Sequence, residues 1–448
     1  MRQNSLFVLV TALTLALALL TAQPTPAQSS LSHWASDGKV TLKLASSGKS
    51  KAVLKFSSMA MTASPLCPAA SALRVVSNNG DSGELNLDCS RWFPKGSSYT
   101  RYVYKGRRDS GGGVAKIFLS FKKAKVKVKR GASQSPLLGD SVAFVEARLR
   151  VDTEKGWCGR FDTFDSNSGG KVKGRSTSVA CPAWEGENAF WDTLNNYADR
   201  SQETIDTMAT AVADLPSDGR AWLMKGMMHV YLTGTTLLDP SSADQVTSDH
   251  AALGSAALDQ AALYLTEDTR VPGWQGAANY IDALIRGDAT DLADSLQLLR
   301  DAIVLYPLFN TFDFSGVVGT WVDPSDPLMT EAIQYMDTAL ASGCSPFTQP
   351  RVCGNDGRAP NNVQGTGLMF GDLFLKGGRS DSALEWYNLA EFYDDLGGGP
   401  STWPYRSILD DRIANFSARE ALYLDADPSN DPLLTGQGPE NCVVCHGS

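Results

Sequence analysis

The sequence predicts a chain in two parts, an antiparallel β domain of sandwich or jelly-roll type followed by an α-helical solenoid. Three observations carry this. Apolar residues alternate with polar ones at a period of two up to about residue 180, then repeat at a helical period after Pro182. Turn-forming clusters at Ser77 to Gly83, Asp109 to Gly113 and Ser166 to Gly170 divide the first part into short runs, whereas Pro residues divide the second. The charge splits at the same place. Residues 39–181 hold 26 Lys and Arg against 10 Asp and Glu, and residues 182–448 hold 13 against 38. The net charge of -9 therefore conceals a strongly basic segment fused to a strongly acidic one. With 448 residues, 43% hydrophobic and 20% charged, the chain can bury two or three cores; the composition excludes collagen, low-complexity disorder and coiled coil.

Residues 1–28 read as a secretory signal peptide: Arg2 in a short n-region, an apolar run from Leu6 to Leu20, and small residues at Thr21, Ala22 and Ala27. The run is shorter than the roughly 20 residues that span a bilayer, and no later stretch is long enough, so no membrane span is expected. The mature protein is expected in the periplasm or outside the cell. In the basic β domain, residues 39–181, Val40, Leu42 and Leu44 alternate with Thr41 and Lys43, and Val126 and Val128 alternate with Lys125, Lys127 and Lys129. Such alternation buries one face of a sheet. The Lys stripe from Lys122 to Arg130 reads first as the solvated face of an edge strand that resists aggregation, and second as a patch for an anionic surface. Nucleic acid is not expected there, because no aromatic platform interleaves the cations.

The helical domain is placed at residues 186–425, with eight to ten helices broken near Pro216, Pro240, Pro272, Pro307, Pro327, Pro360 and Pro400, at intervals close to those of a helix-pair repeat. Leu292, Leu296, Leu299 and Ile303 share one helical face, as do Ile333, Met336 and Leu340. Gly371, Gly378, Ala383, Tyr387 and Ala390 resemble the tetratricopeptide pattern of a helix, a Gly turn, then Ala and an aromatic residue packing back. Trp222 with Gly226 and Trp274 with Ala278 are partial echoes of it. Trp386 and Tyr387 read as core.

Eight Cys fall in four close pairs: Cys67 with Cys89, Cys158 with Cys181, Cys344 with Cys353, and Cys442 with Cys445. Export makes disulfides the expectation for the first three, although 67 to 181 with 89 to 158 is equally legal. The C-terminal tail, residues 426–448, carries the sharpest motif, Cys442-Val443-Val444-Cys445-His446. This is the CxxCH spacing of covalent haem c, in which two thiols add to the two vinyl groups and the adjacent His reaches the iron. A small disulfide between Cys442 and Cys445 is the plainer alternative. Zinc lacks a second CxxC, and a thioredoxin-like role lacks a following helix.

From Asn361 to the end, Gly371, Asp372, Trp403, Pro404, Tyr405, Arg406, Arg412, Ile413 and the terminal CVVCH resemble a group of exported proteobacterial TPR-like proteins that finish in a single CxxCH. The resemblance implies an exported solenoid carrying one haem and no particular substrate. A fainter likeness, in architecture alone, is to the helical T-component of TRAP transport systems, which implies partner or ligand binding without haem. The β domain resembles no family that its residues identify.

No G-x-S-x-G elbow, no G-x-x-x-x-G-K phosphate loop and no H-E-x-x-H is present, and His33, His229, His250 and His446 are the only His residues. No catalytic residues are expected. Asp165, Asn167 and Gly169, and Asp425, Asp427, Asn430 and Asp431, read as turns rather than calcium loops. The leading expectation is an exported monohaem c-type cytochrome whose partner is a redox protein or other exported protein. The alternative is a cofactor-free scaffold that uses the concave face of the solenoid. For the second axial position, His250 at an expected helix start is the first candidate, expected to be exposed. His229 reads as a core histidine with one satisfied nitrogen, and Met369 or an open site remain as options.

Overall fold

The computed structural model describes residues 38–44, 50–57, 71–77, 80–81, 85–87, 91–94, 101–106, 114–120, 123–130, 142–150, 156–168, 171–175, 181–195, 200–266, 268–341, 363–395, 403–425 and 427–437. Antiparallel sheets fill the first part and helices the second, as the change of period predicts. The larger sheet has eight strands in the order β12 (Thr163–Ser168), β13 (Lys171–Arg175), β1 (Gly38–Leu44), β2 (Ser50–Ser57), β9 (Lys123–Arg130), β8 (Val114–Ser120), β7 (Arg101–Lys105) and β6 (Trp92–Pro94). The smaller sheet runs β11 (Gly156–Phe161), β10 (Val145–Arg150), β3 (Ser71–Ser77) and β4 (Gly80–Asp81), with β5 (Leu85–Leu87) also paired to β3.

Period-two alternation works as the sequence indicates: Val40, Tyr102, Tyr104, Ile117 and Val172 are buried, while Lys39, Lys105, Lys116, Lys171 and Lys173 beside them are exposed. Two expectations are corrected. The Lys stripe is on β9, which is not an edge strand but lies between β2 and β8. The Ser166 to Gly170 cluster is not a turn throughout, since residues up to Ser168 belong to β12, where Asn167 accepts from the Val142 amide at 3.2 Å and donates to its carbonyl at 2.6 Å.

Twelve α-helices follow among the described residues, more than the eight to ten expected. They are α1 (Pro182–Asn195), α2 (Ser201–Asp214), α3 (Gly219–Thr236), α4 (Gln245–Tyr264), α5 (Val271–Arg286), α6 (Ala289–Leu305), α7 (Pro307–Trp321), α8 (Pro327–Ala341), α9 (Val363–Lys376), α10 (Ser380–Asp395), α11 (Arg406–Ala414) and α12 (Phe416–Leu424). The first begins at Pro182 rather than Gly186. Pro182, Pro307 and Pro327 each open a helix and Pro272 is the second residue of α5, positions where the missing N–H costs nothing. Part of the acidity has a local reason. Asp218, Asp244 and Asp288 cap α3, α4 and α6, each accepting from a first-turn amide. Most helices pack chiefly on a sequence neighbour, with Leu299, Ile303, Ile333 and Met336 in one core and Leu292, Leu296 and Leu340 against it.

The smaller sheet meets the helices directly. Cys158 of β11 is bonded to Cys181, the residue before α1, and both pack on the buried Trp184. Asp218 is fully buried; its carboxylate accepts from Arg74 of β3 at 2.9 Å and Arg148 of β10 at 3.2 Å. Arg148 also donates to Glu146 at 2.5 Å, and Arg160 of β11 pairs with Asp214 at 2.7 Å while lying over the Phe144 ring. The pairs that cross the junction set Arg74, Arg148 and Arg160 against Asp218 and Asp214, while Glu146 supports Arg148 from within β10. Burial pushes the Asp218 carboxyl up, but the two guanidiniums and the Ala221 amide outweigh it and hold the group well below the usual carboxylate range.

Candidate functional site

The motif residues Cys442, Cys445 and His446 lie outside the described residues, as do His33, Cys67, Cys89, Cys344 and Cys353 and the proposed signal segment 1–28. The chain is described up to Gln437, and the stretch just before the motif is held by a dense polar site. Its centre is Asp372 on α9, 1% exposed. One oxygen accepts from the Tyr387 hydroxyl at 2.6 Å and from Arg412 Nε at 3.1 Å; the other accepts from the Thr435 amide and hydroxyl, both at 2.7 Å. Arg412 and Arg419 also donate to the Leu433 carbonyl at 3.2 and 2.9 Å, and the Tyr423 hydroxyl donates to the Pro432 carbonyl at 2.8 Å. Leu434 is buried in the core formed by α5 to α10 with Tyr423 of α12. A chain segment without secondary structure has to place its backbone carbonyls on donors when it is buried, and here side chains of α11 and α12 supply them.

The tetratricopeptide-like residues build this site. A Cβ at Gly371 would lie 2.2 Å from the Tyr387 ring, so only Gly lets α10 approach α9 closely enough for Tyr387 to reach Asp372. Gly378 turns the chain between the two helices at a φ of 72°, while Ala383 and Ala390 are fully buried. Tyr387 and Trp386 are core residues, as expected. Burial, then the adjacent Asp372 charge, raises the Tyr387 hydroxyl far above its ordinary value, so it stays a donor. Lys376, buried at the end of α9, donates to the Thr320 carbonyl at 2.9 Å, and burial lowers its ammonium to about 8 against the pull of Asp431 and Asp323. Gly436 packs on Thr320, where a Cβ would lie 2.7 Å from the hydroxyl. The Asp425 to Asp431 stretch is a turn, with Asp425 accepting from the Asp427 amide and from Asn430, and Asp427 capping the short helix Pro428–Asn430.

The two central histidines come together. His229 of α3 and His250 of α4 share a hydrogen bond between their Nδ1 atoms at 2.9 Å. Gly254 permits it, since a Cβ there would press on Val230 and His229 at 3.2 and 3.3 Å. His229 is a core histidine with one satisfied nitrogen, its Nε2 buried without a partner, and burial followed by the nearby His250 and Lys225 lowers it to about 4. His250 is half-buried rather than exposed, because its ring leans on His229. Met369 is half-buried against the α9 to α12 cores.

Glu146, Cys158 and Cys181 form a compact group of metal-ligand types, but the two sulfurs are bonded to each other and offer no thiolate. No helix among the described residues is long and apolar enough to cross a membrane. No protein-family model and no curated protein matches the chain.

Proposed function

We propose that this chain is an exported, monohaem c-type cytochrome-like protein in which a TPR-like helical solenoid presents haem c at its C-terminal tail, and a β-sandwich domain docks the assembly. The observation that carries the reading is the clamp on residues 432–437. Asp372, Arg412, Arg419 and Tyr423 fix the backbone of residues 432–435, a few residues ahead of the motif in the sequence. The five residues from Gln437 to Cys442 can span at most about 18 Å. The donor set suits the group: Cys442 and Cys445 would form the thioethers and His446 would bind the iron. Bound haem supplies a one-electron redox centre, which fits a chain without a recognisable catalytic constellation. The Cys158–Cys181 bond supports an oxidising compartment.

His250 would be a second residue to hold the iron of such a group. Its Nδ1 is engaged by His229, which leaves Nε2 for a metal and orients the ring, the arrangement in which a ligating imidazole donates its other N–H. Gly436 lies against Thr320, and the next residue, Trp321, packs on the cluster that includes Ala251, beside His250. From Gly436 to His446 the chain can reach about 34 Å. The test is an absorption spectrum of protein exported with a haem-attachment system. A Soret band that Cys442→Ser with Cys445→Ser abolishes is expected, with a low-spin form that becomes high-spin in His250→Ala. A colourless protein with an intact fold would favour the cofactor-free scaffold.

A further inference from the structure

The register of the larger sheet turns isolated lysines into rows. Arg175, Lys39, Lys55 and Lys125 stand directly opposite one another across β13, β1, β2 and β9. Next to them runs a second row, Lys173 on β13, then Lys127, Lys116 and Lys105 across β9, β8 and β7, with Thr41 and Val53 between. All eight cationic residues are exposed. Strands are about 4.8 Å apart and same-face residues about 6.8 Å apart along a strand, so neighbouring charges sit within one Debye length. Like charges directly opposite one another in a sheet destabilise it. Protection of an edge does not explain them, since β1, β2, β8 and β9 are interior strands. Counter-charge is scarce: among the described residues only Asp165 lies within ion-pair distance of this face, 3.6 Å from Arg175 and 4.0 Å from Lys173. The acids of the helical domain nearest the sheets, Asp214 and Asp218, are taken by arginines of the other sheet.

We infer that this face binds the surface of a lipid bilayer rich in anionic headgroups. The first row does not end in charge. It continues from Lys125 through Phe118 and Val103 to Phe93, which is 46% exposed with the Lys105 ammonium 5.6 Å from its ring centroid. An array of exposed lysines flanked by an exposed phenyl ring matches a headgroup layer, where cations meet phosphates and an apolar ring enters the interface. Nucleic acid would call for aromatic rings among the cations rather than at one end. The inference does not depend on haem.

The test is co-sedimentation of the full chain with phosphatidylcholine vesicles and with mixed phosphatidylcholine and phosphatidylglycerol vesicles. Binding to the mixed vesicles only, weakened by salt, reduced roughly 100-fold by Lys55→Glu, Lys125→Glu and Lys127→Glu together, and reduced further by Phe93→Ser, is expected. Unfolding curves check that the triple variant folds; if it does not, Lys55→Gln with Lys127→Gln takes its place and should weaken binding in the same direction. Equal binding to neutral vesicles, binding that these substitutions leave unchanged, capture of soluble polyphosphate without vesicle binding, or self-association through this face without vesicle binding would each overturn the inference.

Discussion

The two sheets of the β domain use positive charge in opposite ways. In the smaller sheet Arg74, Arg148 and Arg160 are each turned onto a carboxylate at the helical junction. The exposed rows of the larger sheet are seven lysines and Arg175, which stay in solvent with little counter-charge. The difference follows side-chain chemistry. A guanidinium is weakly hydrated and can serve two carboxylates from a buried position, as Arg148 does with Asp218 and Glu146, whereas an ammonium holds its water and pairs loosely. A basic domain fused to an acidic one therefore does not simply collapse upon it. Three arginines of one sheet are consumed in the fold, and the exposed cations of the other stay in solvent.

The largest effect should come from breaking the buried junction. Asp218→Ala leaves Arg74 and Arg148 without their shared partner and should cost about 3–5 kcal/mol in denaturant unfolding; a loss near zero would mean that the helices do not depend on the smaller sheet. The pH dependence sharpens this. The folded-state pKa of Asp218 is depressed, so its contribution is fully present above about pH 4, the unfolded value, and is lost as pH falls through the folded one. The stability gap between wild type and Asp218→Asn should therefore shrink on acidification below about pH 4, and a gap that widened there would contradict the assignment.

Replacing Cys158 and Cys181 together with Ser opens a loop of 23 residues and should cost about 3 kcal/mol. Scanning calorimetry under oxidising conditions measures it, and a transition unchanged by the replacement would show that the bond is not part of the junction. At the tail clamp, Asp372→Ala removes the acceptor for Tyr387, Arg412 and Thr435 and should cost about 2 kcal/mol. Faster amide exchange confined to residues 432–437 and their helical supports is the signature, and uniform exchange across α1 to α4 would count against a local clamp. The smallest effect has the opposite sign. Lys55→Glu places an acid between Lys39 and Lys125 and should raise stability by about 0.5 kcal/mol, whereas destabilisation would mean that the lysine row has hidden partners.

Much of the helical half was legible in the sequence because its signals are local. The Leu292 to Ile303 face, the Gly371 to Ala390 pattern and the breaks near Pro residues each depend on neighbours a few residues away. The helix count fell short where this signal fails. Helices α11 and α12 are separated only by Asn415, with no Pro to mark the break. Asp372 and Arg412 were visible only as parts of a resemblance, because Arg412 is 40 residues and Thr435 63 residues from the Asp372 they both bond. Alternation at a period of two tells which face a residue occupies and not which strand lies beside it, so the Lys stripe of β9 read as an edge. Arg74 and Asp218 are 144 residues apart, and no local pattern links them. The His229–His250 pair had a faint signal: both residues lie at similar distances from the turn between α3 and α4, which brings them level when the helices fold back.

The most direct measurement is the intact mass of the exported protein under denaturing conditions, after expression with a haem-attachment system. A mass equal to the processed chain plus one haem, reverting to the processed chain when Cys442 and Cys445 are replaced with Ser, is the predicted result. The mass of the chain alone, with Cys442 and Cys445 joined to each other, would contradict the proposal that the clamped tail carries haem c.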